Sequence, residues 1–281
     1  MSAPGPLPIT QDDFEFFRDF FRRRTGIYFE DNKRYFVDRR LEARIAATEQ
    51  LSCRQYLNLV QFQPSQAEFQ TLVNLMTVNE TYFYREDYQL KTMVDEVMDD
   101  VLKRKGLQRP LRIWSLPCST GEEPYSIGIY LLENWPRIQQ VDVEIIGSDI
   151  NSEVVERCKQ GLYSPYALRA LPATLVQRYF TRLSDQEYRI TEDLRGAIRF
   201  NVVNVADADQ MRRQRDYDLV FCRNLLIYFD DAKRREAIEN IYGAMNAGGY
   251  LFLGHSESMS RISSLFKVAS ASSFLVYQKP L

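Results

Sequence analysis

The chain has a single histidine, His255, and only four cysteines, Cys53, Cys118, Cys158 and Cys222, in 281 residues. The cysteines are scattered and form no CxxC pair, so too few soft ligands stand at metal-site spacing; no metal site is expected, and the thiols read as reduced bystanders. No apolar run approaches the roughly 20 residues that a bilayer span needs, so no membrane insertion is expected. The opening MSAPGPLPIT lacks a basic stretch followed by an apolar one; no secretory signal is expected, which places the protein in the cytoplasm. Charge of one sign is also missing: 36 Lys+Arg against 38 Asp+Glu leave a net charge of -2. That balance argues against nucleic-acid or anionic-membrane partners and confines any basic surface to a local patch. Finally, GxGxxG is absent, which speaks against a dinucleotide-dependent oxidoreductase.

What is present is ordinary globular material, 45% hydrophobic and 26% charged. At this length one large core or two smaller ones are possible. The Pro-rich residues 1–9 read as a disordered leader. Residues 10–90 read as a helical domain. Thr10 and Asp13 have capping-box spacing, Phe14, Phe17, Phe20 and Phe21 recur at helical intervals, and Gly26 is placed to end the first helix. A second helix from near Asn32 carries Val37, Leu41 and Ile45 on one stripe, with Lys33, Arg40 and Arg44 on the next. SCRQYLNLVQ and AEFQTLVNLMTV continue the pattern, broken at Gln63 and Pro64.

After a linker helix at 91–108 the pattern changes. Short apolar runs alternate with helical stretches, as in a mostly parallel α/β sheet. The strand candidates are 111–116, 143–149, 198–205, 217–222 and 250–255, with helices starting near Glu122, Ser152 and Asp231. LFKVASASSFLVYQ reads as an antiparallel hairpin with a tight polar turn at the sheet edge. One stretch breaks the alternation: a helix in ALPATLVQRYF, then a small antiparallel β insertion at about 180–200.

In such a sheet, ligands bind at the carboxyl ends of the strands. The first of these loops, WSLPCSTGEEPYS, places Gly121 where the backbone can approach a ligand and puts Glu122 and Glu123 in the first helical turn. Two carboxylates there suit a cationic or hydroxyl-bearing ligand and repel a phosphate. Asp149 ends the second strand, where an acidic side chain commonly grips ribose hydroxyls; a plain turn aspartate is the alternative. Asn224 and Tyr228 follow the fourth strand and suit either a nucleophile-orienting pair or turn and core residues. In MTVNETYFYRED, residues 76–87, three successive aromatics are ordinary core material. With Arg85 they also suit a site that holds a cation against rings and a carboxylate against a guanidinium.

NETYFYRE, WSLPCSTGEEPYS, SDI, FCRNLLIYF and GGYLFLGHSES, taken together and in this order, resemble the CheR family of chemotaxis receptor methyltransferases from about residue 10 to 279. The resemblance implies an all-α N-terminal domain before a Rossmann-like class I methyltransferase domain at 109–281, its seven-stranded sheet ending in an antiparallel hairpin and carrying a small β insertion. It implies S-adenosylmethionine as cofactor and glutamate side chains of chemoreceptor cytoplasmic domains as substrate; a monomer is expected. Carried over residue by residue, it makes Asn79, Thr81, Arg85, Glu123, Asp149, Asn204, Val205, Asn224 and Leu225 cofactor-binding positions. Arg85 and Tyr228 are then nearest the reacting centre, and Lys33, Arg40 and Arg44 meet the receptor. The chain shares the family's departure from a glycine-rich first loop, with Gly121 alone there. A methyltransferase of the same fold acting on another nucleophile, and a non-catalytic module retaining the fold, are the competing expectations.

Overall fold

The computed structural model describes residues 7–106, 108–270 and 274–281, Ser270 by its backbone alone. Helix α1 (Gln11–Thr25) starts at the expected capping box: the Asp13 N–H donates to Thr10 Oγ1, and the Thr10 N–H to Asp13 Oδ2, both at 3.1 Å. Phe14, Phe17 and Phe21 are wholly buried, each worth about 1.5–3 kcal/mol in apolar transfer. Gly26 ends the helix at φ +80°, and a Cβ there would lie 3.0 Å from the Phe229 ring. Both the left-handed turn and this close approach require glycine. A 3-10 turn (Asp31–Lys33) leads into α2 (Arg34–Ala47), which buries Val37, Leu41 and Ile45, followed by α3 (Cys53–Phe62) and α4 (Ala67–Met76).

The expected leader divides. Residues 1–6 lie outside the described residues. Residues 7–9 are tied down, because the Leu7 N–H donates to the Leu51 carbonyl at 3.1 Å, Arg34 donates to the Ile9 carbonyl at 3.1 Å, and the Ile9 side chain is buried in the helical core. The linker helix also starts earlier than expected, as α5 (Asp87–Thr92), a π turn (Met93–Val97) and α6 (Met98–Lys105).

The second half is an α/β unit: β1 (Leu111–Ser115), α7 (Glu122–Asn134), β2 (Val143–Asp149), α8 (Ser152–Gln160), β3 (Leu162–Tyr163), α9 (Ala173–Tyr179), β4 (Phe180–Arg182), β5 (Tyr188–Ile190), α10 (Glu192–Ala197), β6 (Ile198–Val202), α11 (Ala208–Met211), β7 (Tyr217–Cys222), α12 (Asp231–Ala244), β8 (Met245–Leu253), β9 (Lys267–Ser270) and β10 (Leu275–Gln278). The seven-stranded sheet runs β6-β2-β1-β7-β8-β10-β9, parallel except for β10, which is antiparallel to both neighbours. The turn foreseen between the last two strands falls on 271–273, outside the described residues. Every residue of β7 is buried, as a sheet covered on both faces demands. One face, with Trp114, Val220 and Leu251, shares a core with α12 and the N-terminal helices; the other, with Ile113, Leu219 and Phe252, packs against α5 to α7.

The β insertion differs from its expected bounds. It has three strands in the order β3-β5-β4, so it begins at Leu162. Within the expected stretch, EDLRGA forms α10. Alternation over so few residues resembles a strand, but Leu194 is the one side chain of that helix that is buried, and tertiary packing overrides the local pattern.

Candidate functional site

β1 lies between β2 and β7, so the chain leaves the sheet in opposite directions from its carboxyl end, and a crevice opens there. A cavity of about 880 Å³ occupies it. The walls come from the loops after β1 (Pro117 to Ser119), β2 (Asp149, Ile150) and β7 (Arg223 to Asp231), from residues 76–82 and Arg85, and from the N-terminal domain between Ile27 and Phe36. Several bonds hold the two halves around it. The Tyr28 N–H donates to the Tyr228 carbonyl at 2.9 Å, Asn151 Nδ2 to Thr77 Oγ1 at 2.7 Å, and Arg22 pairs with Asp230.

Asp149 is buried at the bottom, where Oδ2 accepts the Ser119 N–H and Oδ1 the Asn151 N–H, both at 2.9 Å. Burial pushes its carboxyl up to about 6, against the opposing pull of these backbone donors. Glu123 also reaches the cavity, but both its oxygens are engaged: Ser115 donates to Oε1 and Arg223 to Oε2, each at 2.7 Å. Its carboxyl is raised by burial, with the Arg223 charge opposing. Glu122 turns away from the cavity and accepts the Thr120 hydroxyl at 2.6 Å. Gly121 serves packing instead of ligand approach. At φ +98°, its Cβ would lie 2.9 Å from the Tyr163 hydroxyl and 3.1 Å from Cys158 Sγ.

Asn79, Thr81, Arg85, Asn224, Leu225, Tyr228 and Lys33 all line the cavity. Arg85 donates to the Glu80 carbonyl at 3.1 Å. Burial pushes the Tyr228 phenol up, with Arg85 opposing, so the phenol is a protonated donor at neutral pH. Of the three aromatics, Tyr82 lines the cavity, Phe83 is core against Tyr163 and Phe180, and Tyr84 packs at a tilt against Tyr130. Asn204 and Val205 stand apart from the lining residues. Asn204 Nδ2 donates to the Arg24 carbonyl at 2.7 Å and its Oδ1 accepts the Ala206 N–H at 3.0 Å, while Val205 is buried. Asn204 thus joins the two domains.

Arg40 and Arg44 are tied inward as well. Arg44 makes a two-pronged pair with Glu68 at 2.8 and 2.7 Å, and the Tyr56 hydroxyl donates to the same carboxylate. Arg40 lies 3.5 Å over the Phe36 ring and donates to the Leu75 and Phe36 carbonyls. Lys33 alone of the three lines the cavity.

Two residues that sequence reasoning missed hold the site. Arg223, its side chain 4% exposed, joins Glu123, Glu86 and the Arg85 carbonyl. Glu257 accepts the N–H groups of Asn224 and Leu226 at 2.8 Å and of Gly254 at 2.9 Å. Arg223 stood in plain view at the end of β7, but Glu257 lies 33 residues beyond Asn224 with no spacing signal to connect them. Backbone strain gathers here too: Tyr84, Glu86, Ser119 and Asn224 all have positive φ.

The donor set fits S-adenosylmethionine. The Asp149 carboxylate on the cavity wall is of a kind that can accept sugar hydroxyls, the acidic side chains of the lining suit a cationic ligand, and the volume accommodates a nucleoside-sized group. The CheR methyltransferase all-alpha domain matches residues 12–77, and the CheR methyltransferase SAM binding domain matches 79–275. The chain is 48% identical to chemotaxis protein methyltransferase 2 of Vibrio cholerae, over 98% of this chain and 95% of that one. It is 35% identical to chemotaxis protein methyltransferase 2 of Pseudomonas aeruginosa, over 95% of each. To the chemotaxis protein methyltransferase of Escherichia coli it is 30% identical, over 92% of this chain and 89% of that one. With both domains matched in order, the chain belongs to the CheR family of S-adenosylmethionine-dependent chemotaxis methyltransferases.

Proposed function

We propose that the protein esterifies glutamate side chains on the cytoplasmic domains of chemoreceptors, giving glutamate methyl esters for sensory adaptation. The observation that carries this reading is the pairing of a fixed cation, Arg85, with a protonated phenol, Tyr228, on the wall of one cavity. A guanidinium and an O–H donor together form a receptor for a carboxylate. A glutamate is ionised at neutral pH and needs no base to act as nucleophile, in keeping with the position of the sole imidazole, His255, away from the lining residues. An amine or alcohol would first have to lose a proton.

When bound, S-adenosylmethionine supplies an electrophilic methyl group on a sulfonium. The chain's own residues have the task of alignment, which can lower a barrier by about 7–11 kcal/mol. Asp149 takes the ribose hydroxyls, and Asn79, Thr81, Glu123, Asn224 and Leu225 border the rest of the cofactor. Arg85 and Tyr228 orient the incoming carboxylate, and Lys33 meets the receptor at the rim. Each ester removes one negative charge from a receptor helix and so weakens repulsion between acidic neighbours.

Incubation with methyl-labelled cofactor and a receptor cytoplasmic fragment tests the reading. Label released by mild base, located on glutamate by mass spectrometry, is the expected result. Label that resists base marks an N-methyltransferase instead.

A further inference from the structure

At the rim of the cavity one cation is held in a built setting. The guanidinium carbon of Arg169 lies 3.7 Å from the centre of the Tyr82 ring and 3.8 Å from that of Tyr166. Tyr82 lines the cavity, whereas Tyr166 is 64% exposed. The turn carrying Arg169 is itself fixed: Ala167 donates to the Ser164 carbonyl at 3.1 Å, its carbonyl accepts the Phe83 N–H at 3.0 Å, and Ala167, Leu168 and Leu171 are buried. Arg169 Nη1 donates to the Tyr166 carbonyl at 2.7 Å. Among the described residues, no Asp or Glu forms an ion pair with it.

Two tyrosine rings lie against this exposed guanidinium, which keeps further N–H donors beside the one given to the Tyr166 carbonyl. A guanidinium stacked against rings is suited to a carboxylate, because the stacking leaves less side-chain freedom to lose on binding. The cavity lining also contains Glu30 and Glu80, neither ion-paired among the described residues. An acidic chain entering the site meets these as repulsion, and a cation at the rim adds to the attraction that Arg85 and Lys33 supply in the wall.

We propose that Arg169 is a substrate-binding residue that receives a carboxylate neighbouring the methylated glutamate on an acidic protein segment. The proposal rests on the carboxylate-methylation reading above. It adds a requirement on the substrate: a second negative charge beside the reacting one.

The test compares wild type, Arg169→Ala and Arg169→Lys on two soluble receptor fragments, one natural and one with the carboxylates flanking the methylated glutamate changed to glutamine. Initial rates give KM and kcat, and calorimetry gives the Kd for S-adenosylhomocysteine. On the natural fragment Arg169→Ala raises KM about tenfold, the loss expected for one charge-assisted hydrogen bond. Both kcat and the Kd stay close to wild type. On the neutralised fragment the two proteins share one KM. Arg169→Lys keeps the charge without the planar stack and recovers part of the loss. An unchanged KM, an equal penalty on the neutralised fragment, or a parallel weakening of cofactor binding overturns the proposal; the last would make Arg169 a mere support for Tyr82. If wild type esterifies neither fragment, the carboxylate reading falls, and this inference with it.

Discussion

Glu257 Oε2 accepts the backbone N–H of Asn224 at 2.8 Å, and the same carboxylate holds Leu226 and Gly254. Asn224 sits at φ +58°, a conformation that costs a non-glycine residue energy and persists only when its surroundings impose it. The loop that presents Asn224, Leu225 and Tyr228 to the cavity is therefore held by a side chain that does not itself line it.

Glu257→Ala leaves three N–H groups without their acceptor and should cost about 1–3 kcal/mol of stability. Activity and S-adenosylhomocysteine affinity should both fall at least tenfold, with Glu257→Gln intermediate. Thermal melts beside calorimetry check this, and unaltered affinity in a folded Glu257→Ala protein would contradict it.

Gly254→Ala probes the same contact from the other side. Its Cβ would lie 2.8 Å from Glu257 Oε2 and 3.0 Å from the Asn224 nitrogen. The carboxylate has to move, so the variant should lose activity in the manner of Glu257→Ala. Wild-type initial rates would show that the loop absorbs the methyl group.

The Arg223 side chain is 4% exposed, and it neutralises Glu123 and Glu86 together. Removing one partner of a buried pair costs about 3–5 kcal/mol, because the other charge remains buried. Arg223→Ala should lose stability on that scale in urea unfolding, and Glu123→Gln distinctly less, since a neutral amide still accepts from Ser115.

Burial raises the Asp149 carboxyl to about 6, above its ordinary value of 3.8. The ionised form is the better acceptor for ribose hydroxyls, so S-adenosylhomocysteine affinity should fall as pH drops from 7 to 5, with a midpoint near 6. Asp149→Asn should bind weakly and show no such step. The stability linkage runs the other way: Asp149's contribution is fully present below 3.8 and is lost as pH rises through about 6. Calorimetric titration across this range measures the binding step.

Arg44 and Lys33 should separate cleanly. Arg44→Met leaves buried Glu68 without its cation and should destabilise by about 3 kcal/mol, with KM for a receptor fragment unchanged. Lys33→Ala should raise that KM about threefold, as for one part-screened charge, and leave the melting temperature unaltered.

Much of the framework was legible in the residues. The Thr10–Asp13 cap, the Phe14 to Phe21 stripe, the Gly26 stop and the strands 143–149 and 217–222 all appear where periodicity and turn chemistry put them. These are local effects, carried by neighbours three or four residues apart, and a linear pattern encodes them directly. Asp149, at a strand end, was legible for the same reason. EDLRGA was misread because six residues are too few for their period to outweigh tertiary packing.

The chain order alone established the two domains, the parallel sheet and the family motifs. Only the tertiary structure decided how individual charges are spent. On sequence, Arg40, Arg44 and Lys33 share one helix edge, but Glu68 and Leu75 claim the first two and leave the third at the cavity. Asn204 spans to Arg24, Glu257 holds the Asn224 loop from a distant segment, and Arg169 stacks on Tyr82. A side chain's hydrogen bonds go to whatever the fold brings within about 3 Å, and in one dimension that neighbour is not specified.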